Sequence, residues 1–245
     1  EESLNDEIIL NDDENLVLEE NNVNKDSISK DSGEEEILSE TTGTFTDLEN
    51  DINGNNDTEI SLNKNYVFNP DSDSAFVEGI IIKRAATIEG NGITIDGNHL
   101  SRILQVSGEN VTIRNINFVN GETDEYSGGA ILWQGKYGSL SNCGFINNTA
   151  LVGGALMMMA ANTTVSNCTF INNYAISQNT RAGGAIYWYS DNATINNCTF
   201  KDNSGKLGGA IHMYYSSGTI SDSVFINNTA KQGGGAIYTE EIDGA

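Results

Sequence analysis

Few side chains in this sequence could do chemistry, and their spacing narrows what that chemistry would be. The candidates are three cysteines (Cys143, Cys168, Cys198), two histidines (His99, His212) and scattered carboxylates. A metal or redox centre would call for Cys-x-x-Cys spacing or nearby histidines, and neither is present. Each cysteine instead stands two residues before a phenylalanine (Phe145, Phe170, Phe200), and Ser223 takes the same place before Phe225. That pattern reads as a stack of small buried side chains, one per repeat. The histidines fall at unrelated repeat positions, so no metal and no cofactor are expected.

Polysaccharide hydrolysis would need two carboxylates facing one groove. Asp96, Glu109, Asp124, Glu125, Asp191 and Asp202 are the acids to consider. Asp96 precedes Gly97, where aspartate commonly closes a turn on its own backbone. Asp124 and Glu125 fall in a segment expected to be an irregular loop, 121–127, with no partner one repeat away. Lyase chemistry would add a basic residue beside calcium-binding acids, but Arg102, Arg114 and Arg181 occur singly. No catalytic residue is assigned, and a non-catalytic protein is expected.

The elements that would position any site follow from the repeat. Gly-Gly-Ala followed by Ile or Leu recurs at 128–131, 153–156, 183–186, 208–211 and 234–237. The alanines lie 25, 30, 25 and 26 residues apart. Before each tetrad comes a strand-like segment ending in Phe: 111–118, 138–145, 164–170, 194–200 and 219–225. About 25 residues suffice for three short strands and three corners, one coil of a solenoid. Leucine-rich repeats lack this spacing, and propeller blades need roughly 40 residues. Successive coils would pair in parallel about 4.8 Å apart, stacking like residues into ladders. Phe118, Phe145, Phe170, Phe200 and Phe225 form one inward column. Asn115, Asn142, Asn167, Asn197 and Asp222 read as an amide ladder at a corner, and Asn148, Asn173, Asn203 and Asn228 mark another corner.

Composition agrees. There are 26 Gly and a single Pro, and Asn is abundant, as in a chain of many tight corners. Residues 1–40 carry 15 acidic side chains and two lysines, and are expected to form a disordered acidic leader. The net charge of −23, with no basic stripe, argues against a nucleic-acid partner. No apolar run approaches the roughly 18 residues of a membrane span, so no membrane insertion is expected within this chain. The parallel β-helix is expected over 44–245, with a cap at 44–78 and coils over 79–245, the last stopping part-way through a repeat. In the cap, 46–52 has the start signals and apolar spacing of a short helix, and 60–68 alternates as one half-buried strand.

The paired Gly-Gly-Ala-Ile and Phe-x-x-Asn motifs resemble the passenger domains of polymorphic outer membrane proteins. Together with 93–98 (ITIDGN) and 111–118, they are also similar to the adhesin-like surface proteins of methanogenic archaea, within the pectate-lyase-like β-helix superfamily. The resemblance covers about 44–245. It implies an all-β, right-handed parallel β-helix and an extracellular, cell-surface role in attachment or architecture.

If the aliphatic after each Ala points inward, alternation turns its successor outward. The outward columns are then Leu132, Met157, Tyr187, His212, Tyr238 and, two residues on, Gln134, Met159, Tyr189, Tyr214. These are either tolerated surface apolars or a strip for sugar rings or a protein. A longer loop at 176–182 places Arg181 beside the strip. Trp133 and Trp188 share a column with Met158 and Met213 and could face inward. The expected function is adhesin-like binding of a glycan, or of a surface protein on another cell, through this lateral face. A polysaccharide lyase or hydrolase and a passive wall or stalk component are the alternatives.

Overall fold

The structure, a computed structural model, describes residues 42–177 and 182–240, without the side chains of Glu125 and Tyr126. The expected leader lies outside the described residues, as do 178–181, Arg181 among them.

Three parallel sheets of seven, twelve and five strands wrap a single apolar core, giving a parallel β-helix. The seven-stranded sheet takes one strand from each coil: Ile80–Ile82, Leu104–Val106, Ile131–Trp133, Leu156–Met158, Ile186–Trp188, Ile211–Tyr214 and Ile237–Glu240. The coil at the centre shows the plan. Leu156–Met158 leads to Thr164–Ser166 and Thr169–Ile171 in the twelve-stranded sheet, then to Tyr174–Ala175 in the five-stranded one. That is four strands and four corners per coil, one more of each than the spacing suggests. The extra corner is an asparagine in the left-handed region (Asn142, Asn167, Asn197), which breaks the strand-like segments 138–145, 164–170 and 194–200 before their Phe, whereas Val111–Val119 runs on through Asn115.

In-register stacking is explicit. Phe145 pairs with Phe118 and Phe170, and Phe200 with Phe170 and Phe225. Their rings stand 4.6–5.1 Å apart in nearly parallel planes. That separation exceeds face-to-face contact, so the rings are slipped over one another, as the aromatic quadrupole prefers. The cysteines are buried, and each thiol donates to the carbonyl two residues back: Ser141, Ser166 and Asn196 at 3.2–3.3 Å. Ser223 makes the same bond with its hydroxyl, to Ser221 at 2.8 Å. The column therefore wants a small donor, and sulfur or oxygen will serve.

The buried amide ladder lies in the other asparagine column from the one the spacing favours, whose own amides meet once among the described residues, from Asn197 to Asn167 Oδ1 at 2.7 Å. Asn142, Asn167 and Asn197 are exposed corner residues. Asn148, Asn173 and Asn203 are wholly buried. Asn173 donates its side-chain amide to Asn203 Oδ1 at 2.9 Å and to the Phe145 carbonyl at 3.0 Å. Its own Oδ1 accepts the backbone N–H and side-chain amide of Asn148 at 3.1 and 3.0 Å. Asn203 repeats this on Asn228, so each amide satisfies backbone groups that its corner leaves unpaired.

The glycine tetrads are explained by close approach. A Cβ at Gly128, Gly153, Gly183, Gly208 or Gly234 would strike the carbonyl oxygen of the aliphatic residue three further on. One at Gly154 or Gly184 would strike the glycine carbonyl of the next coil. Only glycine lets the backbone turn that tightly.

Two local expectations are corrected. Residues 60–68 form two short strands, Glu59–Ser61 and Tyr66–Val67, because a corner intervenes. There Asn91 donates to the Leu62 carbonyl, and Asn65 Oδ1 accepts the Thr94 N–H. Residues 121–127 are not an irregular loop, since Glu122–Ser127 pairs with Thr149–Val152 across a register shift.

The helix is Phe45–Asn53, capped by a Thr44–Asp47 capping box, and it buries Phe45, Leu48 and Ile52 over the first coil. Asp73 anchors its start. This buried carboxylate accepts the N–H groups of Phe45, Thr46 and Asn69 at 2.9–3.0 Å and the Thr46 hydroxyl at 2.8 Å. Burial opposes its ionisation, but these donors outweigh that and hold its pKa below the ordinary 3.8.

Three variants test this. Asn173→Ala removes the acceptor of the Asn148 backbone N–H and of one Asn148 side-chain N–H, and the amide donor to the Phe145 carbonyl, and should cost about 2–4 kcal/mol in urea unfolding. Asn142→Gly, at an exposed left-handed corner, should stay within about 1 kcal/mol. Because folding lowers the Asp73 pKa, its contribution is complete above the ordinary value and is lost as pH falls through the folded one. Urea titrations from pH 7 to pH 3 should therefore show a shallower acid loss for Asp73→Asn, from a lower plateau.

Candidate functional site

The outer face of the seven-stranded sheet carries a column whose chemistry changes from coil to coil. Register places Ile81, Gln105, Leu132, Met157, Tyr187, His212 and Tyr238 in one line along the molecule. The column runs from amide through aliphatic and thioether to aromatic side chains.

Alternation puts the tryptophans inside. Trp133 and Trp188 are buried, and their indole N–H groups donate to the carbonyls of Gly135 and Ser190 at 2.9 and 3.0 Å. Gly138 and Gly218 leave room for the rings, since a Cβ at either would collide with Trp133 or Trp188. With the indoles turned inward, Tyr187 and Tyr189 must point outward.

The exposed part of the face is aromatic and apolar. Tyr189 is 44% exposed, Met159 41% and Tyr215 36%, with Tyr187, Tyr214 and Tyr238 half-buried beside them. Ring centroids lie 6.0 Å apart for Tyr187 and Tyr214, 5.6 Å for Tyr189 and Tyr214, and 4.2 Å for Tyr214 and Tyr215. The planes are tilted 34–38° from one another.

Two expected surface residues are not available on it. His212 has no exposure, and Met157 only 8%. His212 sits within 5.2–5.9 Å of the rings of Tyr187, Tyr214 and Tyr238, with Nε2 3.8 Å from the Glu240 carboxylate. It points outward as its register requires, yet the tyrosines of its own and adjacent coils cover it. Its role is to pack them. Arg181 lies outside the described residues.

Next to the aromatic patch the face becomes an open groove of about 530 Å3, lined by Leu132, Met157, Met159, Ser127, Gln105, Arg102 and Glu78. Arg102 is buried to 1% exposure. Its guanidinium donates to the carbonyls of Gly128 and Glu78, both at 3.1 Å, and lies 3.3 Å from the Glu78 carboxylate. The Gln105 amide donates to the Glu78 carbonyl at 2.7 Å. The groove thus offers an apolar floor with fixed polar groups at one end.

The sequence pattern does not single out Glu78, Gln105 or Tyr215. Gln105 had a usable signal, because it occupies the register position of Leu132 and Met157. Tyr215 had none, since it stands at a corner with φ 46°, where glycine or asparagine is usual.

Two of the carboxylates considered for hydrolysis, Asp96 and Asp191, do local structural work. Asp96 accepts from the Asn98 N–H and the Asn120 side chain, and Asp191 from the Ser217 hydroxyl. Arg114 is not without an acidic partner: it meets Glu89, one coil below, at 2.7 Å. The Asn91 N–H, then the Asn115 amide and Arg114, hold the Glu89 carboxyl below its ordinary range. The thiols of Cys143 and Cys198, with burial, push the Cys168 thiol well above its own range, which keeps it un-ionised. Among the described residues no three His, Cys, Asp or Glu side chains gather as a metal site. No described helix is long and apolar enough to cross a membrane.

No curated protein and no solved structure gives a significant match to the chain. The family model of the right-handed β-helix region matches residues 78–241, about two thirds of the sequence. That span begins where the cap ends and takes in the coils described above, so the chain belongs to the right-handed β-helix family.

Proposed function

We propose that this is a non-catalytic, adhesin-like cell-surface protein that binds a glycan, or a protein on another cell, through the outer face of its seven-stranded sheet. The observation that carries this reading is the tilted cluster of Tyr187, Tyr189, Tyr214 and Tyr215, half-exposed and continuous with the groove floored by Leu132 and Met159. A contiguous exposed apolar surface costs solubility and usually marks an interaction site. Tyrosine suits a sugar, because the ring covers the apolar face of a pyranose while the hydroxyl meets its polar edge. Gln105 and Glu78, the latter held by the buried Arg102, add directional hydrogen-bonding groups at the other end. The resemblance to adhesin-like proteins of methanogenic archaea and to polymorphic outer membrane repeats supports an extracellular role in attachment.

Glycan-array and cell-binding measurements test this. Tyr189→Ala and Tyr214→Ala should each weaken binding at least about tenfold, the scale of an aromatic at the centre of an interface. Asn142→Gly, on the opposite sheet, should leave it unchanged. Absence of any binding by the unmodified protein would favour the passive stalk. Release of unsaturated or reducing sugars from a polysaccharide would favour the enzyme.

A further inference from the structure

Eight Asn-x-Thr triplets occur in the described coils and cap, at Asn56, Asn110, Asn147, Asn162, Asn167, Asn192, Asn197 and Asn227, and no Asn-x-Ser occurs anywhere in the chain. Sequons in an asparagine-rich sequence arise readily by chance, and threonine suits a strand, so their number alone carries nothing. Their placement in the coil says more. Apart from Asn56, which lies in the exposed segment after the helix, every one of these asparagines is a corner residue with φ between 50° and 59°.

At such a corner the residue after the asparagine turns into the core, and the threonine after that turns out again. Val111, Asn148, Thr163 and Ala193 are buried, whereas Thr112, Thr149, Thr164 and Thr194 are half-buried or exposed. Asparagine amide and threonine side chain therefore both face solvent on the same edge, as a glycosyl acceptor requires.

Hydrogen bonding then divides the eight. Asn197 donates its side-chain amide to Asn167 Oδ1 at 2.7 Å, so these two amides are turned along the stack onto each other. The side chains of Asn56, Asn110, Asn147, Asn162, Asn192 and Asn227 make no hydrogen bond among the described residues, and all six asparagines are exposed.

We propose that these six asparagines are acceptor sites for N-linked sugar. In the transfer, Nδ2 attacks the anomeric carbon of a donor sugar that carries a phosphate or pyrophosphate leaving group. The C–N bond forms, the C–O bond to phosphate breaks with its electron pair leaving on the phosphate, and the amide gives up one proton. A separate transferase supplies the catalysis. Five of the six stand on the two edges that bound the twelve-stranded sheet, and none on the Gly-Gly edge. The attached sugars would sheathe that side and leave the centre of the seven-stranded face clear. This inference does not depend on what that face binds.

The test is the full chain secreted from a host whose transferase reads Asn-x-Thr, with intact mass measured before and after peptide N-glycosidase and sites mapped on glycopeptides. The expected result is sugar on the six asparagines and none on Asn167 or Asn197. Thr112→Ala, Thr149→Ala and Thr194→Ala should each remove one glycan, and Thr149→Ser should restore it, with the circular dichroism of every variant unchanged. Enzymatic removal of the sugar should leave the unfolding midpoint within error. An unmodified intact mass in the folded, secreted protein would overturn the proposal. Sugar found chiefly on Asn167 and Asn197 would overturn it equally.

Discussion

Parallel, in-register stacking at one strand spacing is the constraint from which the rest of this molecule follows. Each coil sets its residues directly over their counterparts, roughly 4.8 Å away. A residue type can fill a column only if it tolerates its own kind at that distance. Slipped phenyl rings do so, as do amides that donate and accept along the axis, small thiols with a local acceptor, and glycines without Cβ. Like charges do not, and the charged side chains of the coils are arranged accordingly. Arg114 lies over Glu89, and Arg102 over Glu78, each pair crossing between coils.

The same constraint indicates where function can reside. The inward Phe, Cys and Asn columns repeat themselves, and so, in Ser and Thr, does the outer column Thr112, Ser139, Thr164, Thr194 and Thr219 of the twelve-stranded sheet. The outer column of the seven-stranded sheet does not repeat, because its side chains meet solvent or one another instead of a ladder partner of the same kind. Gln105, Leu132, Met157, Tyr187, His212 and Tyr238 share one register position and have little else in common. The framework fixes their spacing and direction and leaves their chemistry open. Buried His212 illustrates the division, since it holds three tyrosines in place without reaching the surface itself.

Much of this was legible in the sequence, because columns of like residues recur at the coil period. The Phe column, the Cys-to-Ser substitution, the helix cap and the glycine corners all follow from residue type and spacing. Other features were hidden where two residues of the same type play opposite parts. In Asn147-Asn148 the first residue turns the corner in solvent and the second builds the buried ladder, and composition alone does not separate them. Burial of Arg102 and pairing of Arg114 depend on which residues lie one coil away, which is fixed only once the register through the bulge at Glu89–Ile93 is known. Alternation gives the direction of His212 but not its exposure, which depends on the size of its neighbours.

The central claim is that register turns the tyrosine and methionine columns of the seven-stranded sheet outward and the tryptophans inward. Hydroxyl-radical footprinting of the folded protein measures this directly, side chain by side chain. The account predicts rapid oxidation of Tyr189, Tyr215 and Met159, with Trp133, Trp188 and Met158 spared until the protein unfolds. Fast modification of the two tryptophans in the folded state, with Tyr189 and Met159 protected, would contradict it.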